Sequence, residues 1–329
     1  TTTTYTVKTY VGGVRGNAAN GGTCEGLEYA ARFQQPDGLA FAPNGDLWFT
    51  DRGTHEIRRI TPDKYVHKVA LTGAAIKSPW GAAFASDGSF VVANKDLKNA
   101  VKISQDGVVT EFITGLNNPI GLVYDKDGNL YICDRDNNAV KKFDSQGTLL
   151  QSYTITKPNA AAIDAKGRIY VSSASAYKLF MIDTDGTIST LFGTGVKPTA
   201  ATYNNGVPGD LSAATMGISF GLVFDEDGTL YISDTLFHVL RALTPDENGD
   251  YTKGTLTTVA GIPGQTVTDP LKGDGDGAVA KFNYPAEMVI KDNVIYLSDE
   301  LTWSIRTITI DKKGSTTGIA GVEADEAPV

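Results

Sequence analysis

Histidine, cysteine and methionine are scarce in this sequence: 329 residues include three, two and three of them. Two cysteines define neither a disulfide framework nor a zinc spacing. Cys24 lies in a glycine-rich loop, and Cys133, in an apolar run, reads as a buried thiol. No apolar run approaches the ~18 to 20 residues of a membrane span, so none is expected. Thr1 to Thr4 lack the charged and apolar regions of a signal peptide. No Asn-x-Ser/Thr acceptor occurs anywhere. Positive charge is also short. The net charge is −9 and the isoelectric point about 4.9, which argues against nucleic acid as a partner, since phosphates are bound by clustered Lys and Arg.

What is plentiful is turn chemistry. The 36 glycines and 13 prolines are scattered between short apolar runs, as in an all-β chain. One stretch recurs. "NNPIGLVYDKDGNLYICDRDNNAVKKF" from Asn117 shares its frame with segments starting at Gln34, Lys77, Thr156, Gly217 and Asn283. Each copy runs from an apolar strand through an Asp/Asn-Gly turn to a second strand. That strand ends on Asp51, Asn94, Asp134, Ser173, Asp234 or Asp299, and a third strand follows. Fourth strands are expected at Tyr65–Leu71, Val108–Thr114, Leu149–Ile155, Ile188–Gly193, Leu256–Ala260 and Thr317–Ala320. Four short strands per copy, six times over, predict an all-β six-bladed β-propeller with four antiparallel strands per blade. The expected domain covers residues 1–329, with blades starting near 36, 79, 119, 158, 219 and 285. A spare N-terminal strand at 5–11 competes with Thr317–Ala320 to close the ring.

The acidic stretches follow the same logic. Asp125-Lys126-Asp127-Gly128 and its counterpart at Asp225 read as hairpin turns. A calcium loop needs Glu at its twelfth position, where these have Asp136 and Leu236. The strand-ending residues such as Asp134 are expected to accept N–H bonds in the loop to the third strand.

The chain resembles the NHL-repeat family of six-bladed propellers. The resemblance rests on Pro-x-Gly-Leu-Ala at blade starts, Asn/Asp-Gly-x-Leu-Tyr-Ile-x-Asp at blade centres, and the linker "TTVAGIPGQTVTDPLKGDGDGAVAKFNYP" from Thr257. Copies four and six depart from the pattern, with Ala160 and Glu287 where Gly is usual. The resemblance implies a ligand site at one mouth of the channel, formed by inner-strand starts and the loops between second and third strands. The residue between Pro and Gly reads Asp37, Trp80, Ile120, Asn159, Phe220 and Ala286, with Glu287 adjacent. The more distant similarity to gluconolactonase-like propellers implies that Asp37, Asn159 and Glu287 could hold a divalent metal, calcium or magnesium, that polarises a lactone carbonyl. A zinc lyase of the amidating type would need several channel histidines, and only His55, His67 and His238 exist.

In the loops after the second strand, Arg52, Lys95, Lys98 and Arg135 fall in copies one to three; Tyr177, Phe237 and Trp303 fall in copies four to six. With Trp80 and Phe220, a cationic half facing an aromatic half suits a sugar or acidic glycan. The competing expectation is that Phe237 and Trp303 plug loops against neighbouring blades. The function expected is non-enzymatic binding of a glycan or protein partner, without a cofactor. The alternative is a metal-dependent hydrolase or lyase of the lactonase-like kind. The Thr-rich start reads as the end of a linker in a larger extracytoplasmic bacterial protein with a preceding domain.

Overall fold

Each repeat alternates apolar and polar residues about a glycine turn, a pattern that buries a sheet only when its faces are stacked on neighbours. The computed structural model describes residues 2–313 and has that stacking. Six sheets of four or five strands, with one extra two-stranded pairing, surround a channel. Inner strands begin at Pro36, Pro79, Pro119, Pro158, Gly221 and Pro285, and each contacts the next until the sixth returns to the first. Core clusters lie between blades. Trp48 and Ile57 of blade one pack on Phe90, Val92 and Val101 of blade two. Each such side chain contributes ~1.5 to 3 kcal/mol when fully buried.

The ring is closed by the N-terminal strand. Thr2–Gly12 pairs antiparallel with Ser304–Lys313 and so completes the sixth sheet from outside. The competing Thr317–Ala320 lies outside the described residues. Blades one, two and six also carry a two-residue fifth strand, at Gly26–Leu27, Thr72–Gly73 and Gly275–Asp276.

The inner glycines are required by close approach. A Cβ on Gly38 would collide with the backbone of Trp80 and Ala82, and one on Gly121 would lie 2.5 Å from the Asn159 carbonyl oxygen. The turns also form as their sequences predict. Asp125 accepts from the amides of Asp127 and Asn129 at 2.9 Å each, and Asp225 does the same for Asp227 and Thr229. In copy six, Asp292 and Asn293 both have positive φ, the geometry of a two-residue hairpin turn.

The strand-ending residues hold a different segment from the one expected. Asp51 accepts from Gln34 and Gln35, Asn94 from Lys77, Asp134 from Asn117, Asp234 from Gly217 and Asp299 from Asn283. They therefore tie down the lead-in to their own inner strand. Asp134 and Asp299 also accept from Asn137 Nδ2 and Thr302 Oγ1 in the following loop, and Ser173 accepts from Ser175 and Ala176 there while donating to the Thr156 carbonyl of its lead-in. The reason is geometric: the lead-in and the end of the second strand meet at the same rim.

Candidate functional site

That shared rim is one mouth of the channel. The inner-strand starts are fixed there by hydroxyls from the preceding blade. Ser298 donates to the Asp37 carbonyl, Thr50 to the Trp80 carbonyl at 2.8 Å, and Ser233 to the Ala286 carbonyl. Three of the six residues between Pro and Gly are thus set by a neighbour's second strand.

Trp80 and Phe220, three blades apart, meet across the channel with ring centroids 5.1 Å apart. Arg52 lies over the Trp80 ring, its guanidinium carbon 4.1 Å from the centroid. The same guanidinium bonds Glu300 at 2.6 Å and approaches Asp37 at 3.5 Å. Asp37 and Glu300 are almost wholly buried, so Arg52 supplies their countercharge. Burial first, and then the Glu300 charge, push the Asp37 carboxyl well above its usual range, against the pull of Arg52. Glu300 was missed from the sequence. It occupies the column of Arg52, Lys95 and Arg135, directly after the strand-ending residue, and comparing that column would have found it.

Above the aromatic pair is a pocket of about 230 Å³, lined by Arg135, Asn159, Phe220, Thr235, Leu236 and Tyr284. Asn159 is fully buried, and neither its Oδ1 nor its Nδ2 has a hydrogen-bond partner among the described residues. The Arg135 Nε is likewise buried and without one. Below the pair, a second cavity of about 190 Å³ is lined by Leu39, Ala82, Gly121, Ala160, Gly221 and Glu287. The accessible surface of Glu287 faces this cavity. Its carboxyl is pushed well above the ordinary range by burial, offset in part by the amides of Ala82 and Leu39. A larger groove of about 610 Å³ lies on the opposite face. Three of its carboxylates, Asp125, Asp164 and Asp225, are engaged with their own turns or with Arg168 and Lys312.

The structure gathers Asp37, Arg52, Trp80, Asn159, Phe220 and Arg135 around the aromatic pair and the upper pocket, and sets Glu287 below the pair. Tyr177, Phe237 and Trp303 are not part of that pocket's lining. Phe237 is buried edge-on against Tyr203 at 5.0 Å, as a loop plug. Trp303 faces a separate groove at the rim, and Tyr177 occupies the equivalent left-handed turn position of blade four. As a metal set, Asp37, Asn159 and Glu287 fit poorly. The guanidinium of Arg52 already stands beside Asp37 and supplies its countercharge. No described helix is long and apolar enough to cross a membrane.

A six-bladed propeller with a polar and aromatic channel mouth is therefore the class of molecule in hand. Residues 10–203 match the virginiamycin B lyase family, and the chain belongs to it. A gluconolactonase from Zymomonas mobilis is 25% identical over 192 residues, a stretch spanning 47% of this chain and 54% of that protein, about half its length. An auxiliary nutrient binding protein from Bacteroides thetaiotaomicron superposes with a TM-score of 0.73 at 20% identity, covering 94% of this chain and 78% of that one. A catalytically inactive His-to-Ala variant of virginiamycin B lyase from Staphylococcus aureus, with quinupristin, superposes with a TM-score of 0.61 at 14% identity, covering 93% and 99%. These similarities to solved structures define the fold.

Proposed function

We propose that this chain is a non-enzymatic recognition module that binds a glycan at the upper mouth of its channel. The observation that carries this is Asn159, whose buried amide lacks a partner at both atoms. Such groups are rare in native structures and cost ~1 to 3 kcal/mol each, a cost that ligand hydroxyls would relieve. Phe220, Leu236 and Tyr284 offer apolar faces to the C–H side of a sugar ring, and Arg135 offers a fork to hydroxyls or a carboxylate. The nutrient binding protein of the same fold supports this reading, which includes a bacterial, extracytoplasmic setting.

The second reading, a metal-dependent hydrolase or lyase of the lactonase-like kind, is favoured by the family and by the gluconolactonase relative. Against it stand Arg52 beside Asp37 and the placement of the histidines. The S. aureus lyase is inactive once a histidine is replaced. Here His55 and His238 accept the amides of Ser78 and Tyr284, and His67 lies in the outermost long strand of blade one. None of the three lines the pocket.

A glycan-array screen of the protein, repeated with chelator, tests the proposal. Chelator-insensitive glycan binding, lost in Asn159→Ala, is expected. Metal-dependent turnover of a lactone, abolished by Asp37→Ala, would establish the enzyme instead. Silence on the array, with capture of a protein ligand at the same mouth, would replace glycan by protein.

A further inference from the structure

At six equivalent positions, four residues beyond each strand-ending residue, the backbone turns left-handed. The residues are His55, Lys98, Asn138, Tyr177, His238 and Trp303, with φ of 60°, 55°, 50°, 51°, 59° and 53°. Asn tolerates this conformation, whereas a bulky side chain there is an outlier. In three blades the side chain repays the strain. His55 Nδ1 accepts the amide of Ser78 at 2.8 Å, Asn138 Oδ1 that of Lys157 at 3.1 Å, and His238 Nδ1 that of Tyr284 at 2.9 Å. Each holds the residue just before the next blade's proline.

An indole has a donor but no acceptor nitrogen, so Trp303 cannot make this bond. Its backbone carbonyl accepts from Gly13 at 2.8 Å, which any residue would do. The side chain instead walls a rim groove of about 460 Å³ with Val14, Arg15, Asn17, Asn20 and Asp269. Trp303 and Asn17 are partly exposed, and Arg15, Asn20 and Asp269 are exposed. An aromatic face ringed by a guanidinium, amides and a carboxylate matches a sugar ring, which is apolar on its C–H face and rich in hydroxyls at its edge.

We infer that the Trp303 groove is a second carbohydrate subsite, separate from the channel mouth, in which the indole stacks on a sugar ring while Arg15, Asn17, Asn20 and Asp269 bond its hydroxyls. This rests on the glycan reading of the mouth and extends it to a ligand, or two ligand units, held at two places on one face. The strain at Trp303 is retained for binding and not for folding.

The test uses Trp303→Asn, which installs the residue that blade three carries at this position. Binding of neutral and acidic hexose oligosaccharides is measured by calorimetry, together with thermal unfolding and the tryptophan fluorescence change on binding, relative to Trp303→Phe. The expected result is oligosaccharide affinity about three- to tenfold weaker. Monosaccharide binding at the mouth stays unchanged, the unfolding midpoint is unchanged or higher, and the part of the wild-type fluorescence response that oligosaccharide evokes beyond monosaccharide, whose signal comes from Trp80, disappears in both variants. A midpoint several degrees lower in Trp303→Asn, or an unaltered oligosaccharide affinity, would show a structural residue and overturn the inference, while Asn159→Ala separately reports on the mouth. If the wild type binds none of the sugars, the mouth reading and this one fall together.

Discussion

Asp37 and Glu300 are buried channel carboxylates, Glu287 is a half-buried one on the lower cavity, and the chain treats them differently. Glu300 and Asp37 share Arg52, whereas Glu287 has only the amides of Ala82 and Leu39. Its folded-state affinity for a proton is raised by burial, so folding takes up a proton in the window above about pH 4.5. The sign is therefore that Glu287 stabilises least at high pH: its contribution is intact below the unfolded value and is lost as pH rises toward the folded one. Glu287→Gln is expected to raise the unfolding midpoint at pH 8 and to leave it unchanged at pH 4. Urea unfolding at the two pH values checks this, and an equal effect at both would show that the carboxylate is not desolvated. At the residue scale, the candidate channel residues could be picked out of the sequence. Asp37, Trp80, Asn159 and Phe220 stand out because they differ at one column of a repeat whose other columns are held alike by packing. Tyr177 and Trp303 were drawn toward the mouth by the same comparison, but a positive φ at their position cannot be seen in residue order.

The blades differ in how their lead-in segments are held, and here an arginine column decides. Arg58, Arg241 and Arg306 occupy the same place in the third strands of blades one, five and six, the three blades preceded by long linkers. All three are fully buried. Arg58 donates to the carbonyls of Arg32 and Cys24, Arg241 to those of Thr215 and Asn204, and Arg306 to that of Lys281. Arg241 and Arg306 also pair with Asp234 and Asp299 at 3.1 and 2.8 Å. The linkers were legible as glycine-rich insertions; the staples were not, because a single Arg in a strand reads as a solvent-facing residue. Arg306→Met leaves Asp299 without its countercharge and the Lys281 carbonyl without its guanidinium donor, and should cost about 3 kcal/mol. Burial, opposed by Arg306, already holds Asp299 at about 6, so without the arginine the loss should be larger at pH 8 than at pH 5, where the carboxyl protonates. Denaturant titrations of Arg306→Met at both pH values give the answer, and a loss independent of pH would assign the cost to the linker alone.

For the whole molecule, six copies of one unit give nearly all of the fold, and the candidate site lies where copies differ. The propeller, the turns and the blade order were readable because stacking demands sameness. Closure by Thr2–Gly12 was left open between two candidate strands, because both carry the same alternating pattern and only pairing with Ser304–Lys313 distinguishes them. We propose above all that the upper mouth binds a ligand and that the partnerless amide of Asn159 is one of its contacts. Calorimetric titration of a glycan found on the array into wild type and Asn159→Ala, with thermal unfolding of both, tests it most directly. Affinity should fall at least about tenfold in the variant while the unfolding midpoint stays level or rises, since an unpartnered buried amide has been removed. Undiminished binding by Asn159→Ala, or a clear loss of its stability, would contradict the account.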